Sequence, residues 1–145
     1  MKAFKNEALT DFSDEKRVQS MREALARVQK ELGQTYPLII DGKAVRTSKT
    51  FTSVNPANIQ QSIGTFQEAD EALTEQAITA ALEAFKTWRH VPPAKRASYL
   101  FKMAEIFRKQ KFDLAAWLVY EIGKNWAEAD AEVAEAIDFL EYYGR

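Results

Sequence analysis

A change in hydrophobic period near residue 70 constrains the fold of this chain more than any other feature of its sequence. Residues 36–66 hold short β-prone runs that are separated by turn-forming residues. From about Asp70 onward, apolar residues instead recur at the spacing of one helix face. The pattern predicts an α+β fold that is rich in helix and contains a small antiparallel β-hairpin region.

Two dipeptides set the turns of the β-prone region. Asp41-Gly42 separates two short apolar runs, and this pair favours a two-residue hairpin turn in which both central residues have positive φ. Asn55-Pro56 separates the next two runs, because proline donates no ladder hydrogen bond and moves the preceding residue out of the helical region. We therefore expect strands on both sides of each dipeptide.

A first helix is predicted ahead of these strands, after an irregular leader at residues 1–12. Ser13 is the expected N-cap and Gly33 the expected stop. The apolar residues between them fall on one face: Val18, Met21, Leu25, Val28 and Leu32. Such a stripe needs a covering surface, and docking within the same chain is the simplest way to provide one.

Breaks and caps divide the region after residue 70 into further helices. One helix is expected to end near Trp88, and a break is expected at 109–113 within the next helical segment. Gly123 closes that segment. Asn125 with Glu128 resembles a capping box and predicts the start of a last helix. The inner stripe of that helix would hold Val133, Ile137 and Leu140.

The composition excludes several kinds of catalytic site. The chain has no cysteine, so it carries no disulfide, thiolate metal site or cysteine nucleophile, which is compatible with a reducing, cytoplasmic compartment. His90, the single histidine, lies in a connector without a neighbouring partner and is expected to have no catalytic role. The five glycines are scattered, whereas a phosphate-cradling loop needs them clustered. The composition therefore leaves no self-sufficient catalytic constellation and no metal site in this chain.

The charge pattern gives little sign of a macromolecular partner. The net charge is −1, and no apolar stretch is long enough to cross a membrane. Residues 86–111 hold eight Lys/Arg against one Glu, which is a pattern that could follow a nucleic-acid backbone. Helical spacing scatters these cations around an apolar stripe, so we interpret them as a solvated or intrachain-paired face. Neither nucleic acid nor membrane is expected as a partner.

The last predicted helix carries the most informative acidic face. Glu128, Glu132 and Glu135 share one side of it, and the same side continues with Phe139 and Tyr142. A carboxylate beside aromatic rings can form part of a pocket wall that binds a cationic or hydrogen-bonding ligand. It can equally be a solvated acid next to partly exposed rings, and the spacing leaves both interpretations open.

An ordered run of short segments resembles the aldehyde dehydrogenase superfamily. The segments are IDGK at 40–43, SVNPA at 53–57, AFKTW at 84–88 and LVYEIGKNWAEADAEVAEAIDFLEYYGR at 118–145. Four features are closest to the bacterial branch of the family that oxidises L-glutamate γ-semialdehyde: the helix of residues 14–32 before the hairpin, the leader Asn6-Glu7 with Phe12, and the segments EIGKNW and AEAIDFLEYY. The resemblance covers essentially the whole chain and places it at the N-terminal segment of the family's α/β fold.

The resemblance implies an NAD-dependent oxidation of the semialdehyde to L-glutamate in proline and arginine degradation, and a homo-oligomer when the protein is full length. The parts that bind NAD, carry the catalytic groups and drive oligomerisation would lie outside residues 1–145. Within the chain, the resemblance implies a leader and helix at 1–35, strands at 36–66 and helices at 70–145. One position, Glu135 in AEAIDF, matches a carboxylate that lines the family's substrate pocket.

The resemblance therefore implies a chain that is inactive by itself and works with the rest of the same polypeptide. NAD would be bound by the full-length family member and not by this segment. The alternative is a stand-alone helical binding or assembly module that is related to the enzyme. A reading frame that continues past residue 145 to a cysteine motif would favour the enzyme, whereas a stop codon would favour the module.

Overall fold

The structure is a computed structural model that describes residues 3–145. In chain order these residues form α1 (Glu15–Gln29), β1 (Gln34–Tyr36), β2 (Leu38–Ile40), β3 (Lys43–Val45), β4 (Thr50–Asn55), β5 (Asn58–Gln67), α2 (Glu71–Trp88), α3 (Pro93–Lys109), α4 (Lys111–Ile122) and α5 (Trp126–Tyr143). They divide into two compact units. The helical unit holds the chain up to Glu31 together with Pro93–Arg145, and the mixed unit holds Leu32–Pro92.

In the helical unit, α5 packs against α3 and α4, and α1 packs against α4. Alanines supply much of its core, which lets the helix axes approach closely. The buried apolar residues of this unit are Met21, Ala24, Val28, Ala104, Ala115, Ala116, Ala129, Val133, Ala134 and Ile137. The α1 stripe is thus covered by the chain's own α4, as expected for intrachain docking.

The start of α1 corrects one prediction. Asp14, not Ser13, is the N-cap: it has extended backbone angles, and its carboxylate accepts a hydrogen bond from the Lys16 amide. Ser13 instead donates its amide to the Asp11 carboxylate at 2.9 Å, so it belongs to the turn before the helix. The helix also ends earlier than expected, at Gln29, and Gly33 lies in the turn beyond it with a φ of 80°.

The other helix boundaries agree with the sequence. The chain breaks at Gln110 between α3 and α4, and Gly123 ends α4 in the left-handed region with a φ of 70°. Asn125 caps α5, since its side-chain oxygen accepts the Glu128 amide at 2.9 Å. These ends are set by local backbone chemistry, which is why local sequence patterns predicted them.

The mixed unit contains both predicted turns and one pairing that was not expected. Asp41 and Gly42 have φ values of 53° and 70° and join the antiparallel strands β2 and β3. Strands β4 and β5 pair antiparallel on either side of the Asn55-Pro56 turn. The unexpected strand is β1, which pairs parallel to β5 and completes a sheet in the order β1-β5-β4.

Helix α2 leaves its apolar side uncovered within the described chain. None of its residues is buried, and Leu82 and Phe85 are 62% and 53% exposed. The spacing of the apolar residues predicted this helix correctly, but in the structure their side remains exposed. Across residues 3–145, no helix combines the length and apolar character needed to cross a membrane.

Candidate functional site

The irregular leader, residues 3–12, lies along α5 and is tied to it by buried polar groups. The carboxylate of Asp130 is 1% exposed and accepts hydrogen bonds from the Thr10 amide at 2.8 Å and the Thr10 hydroxyl at 2.6 Å. Lys111 on α4 supplies the counter-charge, with its ammonium 3.0 Å from the same carboxylate. The ammonium also donates to the carbonyl of Ala8 at 2.9 Å. A segment without regular structure thereby gains a fixed path.

A second carboxylate on α5 holds the leader two turns further along the helix. Asp138 accepts the Glu7 amide at 2.6 Å on one oxygen and the Asn6 side-chain amide at 2.7 Å on the other. The Glu7 side chain turns away to Arg108 on α3, at 2.8 Å, and Arg108 also contacts Glu141 at 2.9 Å. The leader is therefore fixed by main-chain and side-chain bonds to three helices, α3, α4 and α5.

Leader and α5 together enclose a groove of about 560 Å³. Four leader residues form one wall: Phe4, Asn6, Glu7 and Leu9. The other wall comes from α5: Ala131, Ala134, Glu135, Asp138, Phe139, Tyr142 and Tyr143. We call this the Glu135 groove. Its aromatic part is organised, since Phe139 stacks on Tyr143 with ring centroids 6.0 Å apart and Phe4 meets Tyr142 edge-on at 5.7 Å.

The three carboxylates that line the groove have different partners. The Asp138 carboxylate accepts hydrogen bonds from the Glu7 amide and the Asn6 side chain, and the Glu7 carboxylate pairs with the guanidinium of Arg108. Among residues 3–145, no group forms a hydrogen bond or ion pair with the side chain of Glu135, which is exposed. Glu135 is thus the groove carboxylate that remains available to a polar or cationic ligand.

The predicted acidic face of α5 is divided in the structure. Glu132 pairs with Lys124 at 2.6 Å, and this hydrogen bond is the main cause that raises the pKa of the lysine. Glu128 is exposed at the N-terminal end of the helix. Of the three glutamates that share the face in sequence, only Glu135 lines the groove with Phe139 and Tyr142.

Other candidate positions have structural roles. His90 is exposed in the turn after α2, where its amide donates to the Thr87 carbonyl at 3.1 Å. Among the cations of residues 86–111, Arg108 and Lys111 pair with carboxylates of the same chain, as the intrachain interpretation expects. Lys86 pairs with Glu83 one turn back on α2.

Asp130 and Asp138 hold the leader in place, and the sequence patterns did not predict either contact. The signal for Asp130 was available, because it falls three residues before Val133 and seven before Ile137, on the buried side of α5. A charged residue in an apolar stripe requires a buried partner. The counter-charge comes from Lys111. The other partner, the leader residue Thr10, lies 120 positions away and has no local signature in the sequence.

Comparison with known proteins defines the class to which this chain belongs. The model of the aldehyde dehydrogenase family matches residues 43–145, and the chain belongs to that family. The fold agrees: residues 3–145 superpose on the N-terminal part of solved aldehyde dehydrogenases, as the resemblance in the sequence implied.

Several of the similar proteins are 1-pyrroline-5-carboxylate dehydrogenases. The chain is 50% identical, over all 145 residues, to 1-pyrroline-5-carboxylate dehydrogenase 1 of Halalkalibacterium halodurans, and spans 28% of that protein. It is 47% identical to the solved 1-pyrroline-5-carboxylate dehydrogenase from Thermus with bound NAD, with a TM-score of 0.96 over 100% of this chain and 28% of that one. Proline utilization A from Bdellovibrio bacteriovorus is 40% identical, with a TM-score of 0.95 over 98% of this chain and 15% of its own.

Proposed function

We propose that this chain is the N-terminal part of an NAD-dependent dehydrogenase that oxidises L-glutamate γ-semialdehyde to L-glutamate in proline and arginine degradation. The observation that carries the proposal is the 50% identity, along the full 145 residues, to a 1-pyrroline-5-carboxylate dehydrogenase. The curated relatives are longer, since the chain spans about 28% of their length. We assign residues 1–145 to the N-terminal part of such an enzyme, and place the full-length protein in the cytoplasm as a homo-oligomer.

The chemistry of this reaction needs groups that the chain does not contain. Covalent aldehyde oxidation requires a thiolate nucleophile, and the chain has no cysteine. The residues present also do not fit NAD. Gly33, Gly42 and Gly123 each serve a separate turn, so no clustered loop is available to cradle a pyrophosphate. We therefore assign cofactor binding and bond-making to the rest of the polypeptide.

Within the chain, we assign substrate binding to Glu135. Its carboxylate is the groove acid that forms no hydrogen bond or ion pair within residues 3–145, and the rings of Phe139 and Tyr142 lie beside it. Glutamate semialdehyde carries an ammonium group, and a carboxylate that meets it offsets the cost of removing that charge from water. Glu135 would thus orient the polar end of the substrate and leave the aldehyde for the catalytic groups.

Activity of the 145-residue chain tests the assignment of the chemistry. The purified chain should give no enzyme-dependent NADH from glutamate semialdehyde, whereas a polypeptide that extends through the cysteine motif should. NADH formation by the 145-residue chain alone would overturn the proposal. A stop codon directly after Arg145 would instead favour a stand-alone module.

A substitution in the full-length enzyme tests the role of Glu135. Glu135→Ala should lower kcat/KM for glutamate semialdehyde about ten- to hundred-fold, since a hydrogen bond to a charged group contributes roughly 1.5–3 kcal/mol. Propanal lacks the amino group and should be oxidised as before. Glu128→Ala is the matched control: it removes an exposed glutamate of the same helix outside the groove, and its effect should stay within about 0.5 kcal/mol. An equal loss toward both aldehydes would mean that Glu135 supports the helix and not the substrate.

A further inference from the structure

The leader wall of the Glu135 groove depends on contacts made outside regular secondary structure. Residues 3–11 form no helix or strand, yet they supply Asn6 and Glu7 to one side of the groove. A segment of this kind has no ladder of backbone hydrogen bonds to fix it. Its position at the groove therefore has to come from the groups that bind it.

Asp138 is the group that binds the leader at the groove itself. Each of its two carboxylate oxygens accepts one leader donor, the Glu7 amide at 2.6 Å and the Asn6 side-chain amide at 2.7 Å. It lies three residues after Glu135 on α5, and residues at this spacing are neighbours on a helix surface. The same helix face thus carries Glu135, which is proposed to bind the substrate, and Asp138, which holds the leader wall of the groove.

We propose that Asp138 is a positioning residue for the substrate site: it clamps Asn6 and Glu7 so that the leader forms the second wall of the pocket for the polar end of the aldehyde substrate. The inference rests on the proposed role of Glu135. It assigns to the leader a part in substrate selectivity, exerted through pocket shape and not through contact with the reacting atoms.

The geometry separates Asp138 from the other leader anchor. Asp130 holds Thr10, and neither of these residues lines the groove. The ion pair with Arg108 fixes the side chain of Glu7. The Glu7 backbone amide and the Asn6 side-chain amide are bound by Asp138. Loss of the Asp138 carboxylate should therefore free the groove wall while Thr10 remains bound.

Asp138→Asn is the variant that tests the clamp in the full-length enzyme. An asparagine has one acceptor oxygen where the carboxylate has two, and it carries no charge, so one leader bond is lost and the other loses its charge assistance. Hydrogen exchange of the Glu7 amide should become about three- to ten-fold faster, because its hydrogen bond is either lost or reduced to that of a neutral acceptor. The KM for glutamate semialdehyde should rise about three- to ten-fold with kcat unchanged, because a pocket wall contributes binding that is equal in ground and transition states. Oxidation of propanal should not change.

Asp113→Asn is the matched control. It converts another carboxylate to an amide within the helical unit, where Asp113 accepts from Arg27 at 2.7 Å and 3.0 Å and, among residues 3–145, forms no hydrogen bond with the leader. Neither Glu7 exchange nor KM should respond to it. Asn6→Ala is a milder second variant, since it removes an exposed side chain and one of the two clamp bonds. It should raise the KM for the semialdehyde less than Asp138→Asn does.

The outcomes distinguish this inference from the proposal on which it rests. If Glu135→Ala is selective for the semialdehyde but Asp138→Asn and Asn6→Ala leave its KM unchanged, the clamp is overturned and the role of Glu135 stands. Unchanged exchange of the Glu7 amide in Asp138→Asn would overturn the clamp as well. If Glu135→Ala has no effect on either aldehyde, the proposed substrate site fails, and the clamp on it fails with it.

Discussion

Replacing Asp130 by asparagine should lower the free energy of unfolding by about 3 kcal/mol. The carboxylate is 1% exposed and accepts from Thr10 twice and from Lys111 once, and the Lys111 side chain is only 12% exposed. Removing one partner of a buried ion pair costs about 3–5 kcal/mol, because the other charge stays buried without compensation. We expect the lower end of this range, since the Lys111 ammonium keeps its 2.9 Å bond to the Ala8 carbonyl.

Urea denaturation followed by circular dichroism measures this loss. With a slope of about 2 kcal/mol per molar urea, a loss of 3 kcal/mol moves the midpoint down by about 1.5 M. Asp113→Asn is the comparison for an exposed pair: its carboxylate and the Arg27 side chain are 41% and 53% exposed, so its loss should cost at most about 1 kcal/mol.

A double variant measures the cost of leaving the Lys111 ammonium buried without the Asp130 carboxylate. Adding Lys111→Met to Asp130→Asn removes the buried cation and should restore about 1–2 kcal/mol, because an apolar side chain of similar length leaves no charge to compensate. If Asp130→Asn shifts the midpoint no more than Asp113→Asn does, the burial argument is wrong. A double variant that is less stable than Asp130→Asn would contradict the orphaned-charge explanation.

Two further perturbations test local features of the helical unit. Asn125→Ala should destabilise the chain by about 1 kcal/mol in a thermal melt, because it removes the cap that accepts the Glu128 amide; no change would show that the cap contributes nothing. The pKa of Glu141 is lowered from its ordinary value of 4.5, first by the hydrogen bond from Arg145 and then by Arg108. Ionised Glu141 therefore stabilises the fold at neutral pH, and this stabilisation is lost as the pH falls below 4.5. Glu141→Gln should therefore be less stable than the parent at pH 7, with the difference shrinking toward pH 3; a difference that is independent of pH would refute the linkage.

The boundaries of the elements were largely readable from the sequence, because their causes lie within a few residues. Asp41-Gly42 predicted a turn with two positive φ values, and Asn125 and Gly123 predicted helix ends that the structure confirms. The N-cap of α1 was wrong by one residue. Asp14 and Ser13 have similar capping ability, and the choice between them is made by the Asp11 carboxylate, which engages the Ser13 amide.

Contacts between residues far apart in the chain had no signal in the sequence and depend on the tertiary fold. The parallel pairing of β1 with β5 joins Gln34 to Gly64, and neither residue signals the other in sequence. The clamp of the leader on α5 joins Glu7 to Asp138, 131 positions apart. Local patterns in the sequence were enough to indicate the family, the helix periods and the acidic face that includes Glu135. Only folding placed the leader opposite that face, because a hydrogen bond between distant residues depends on the packing of every element between them.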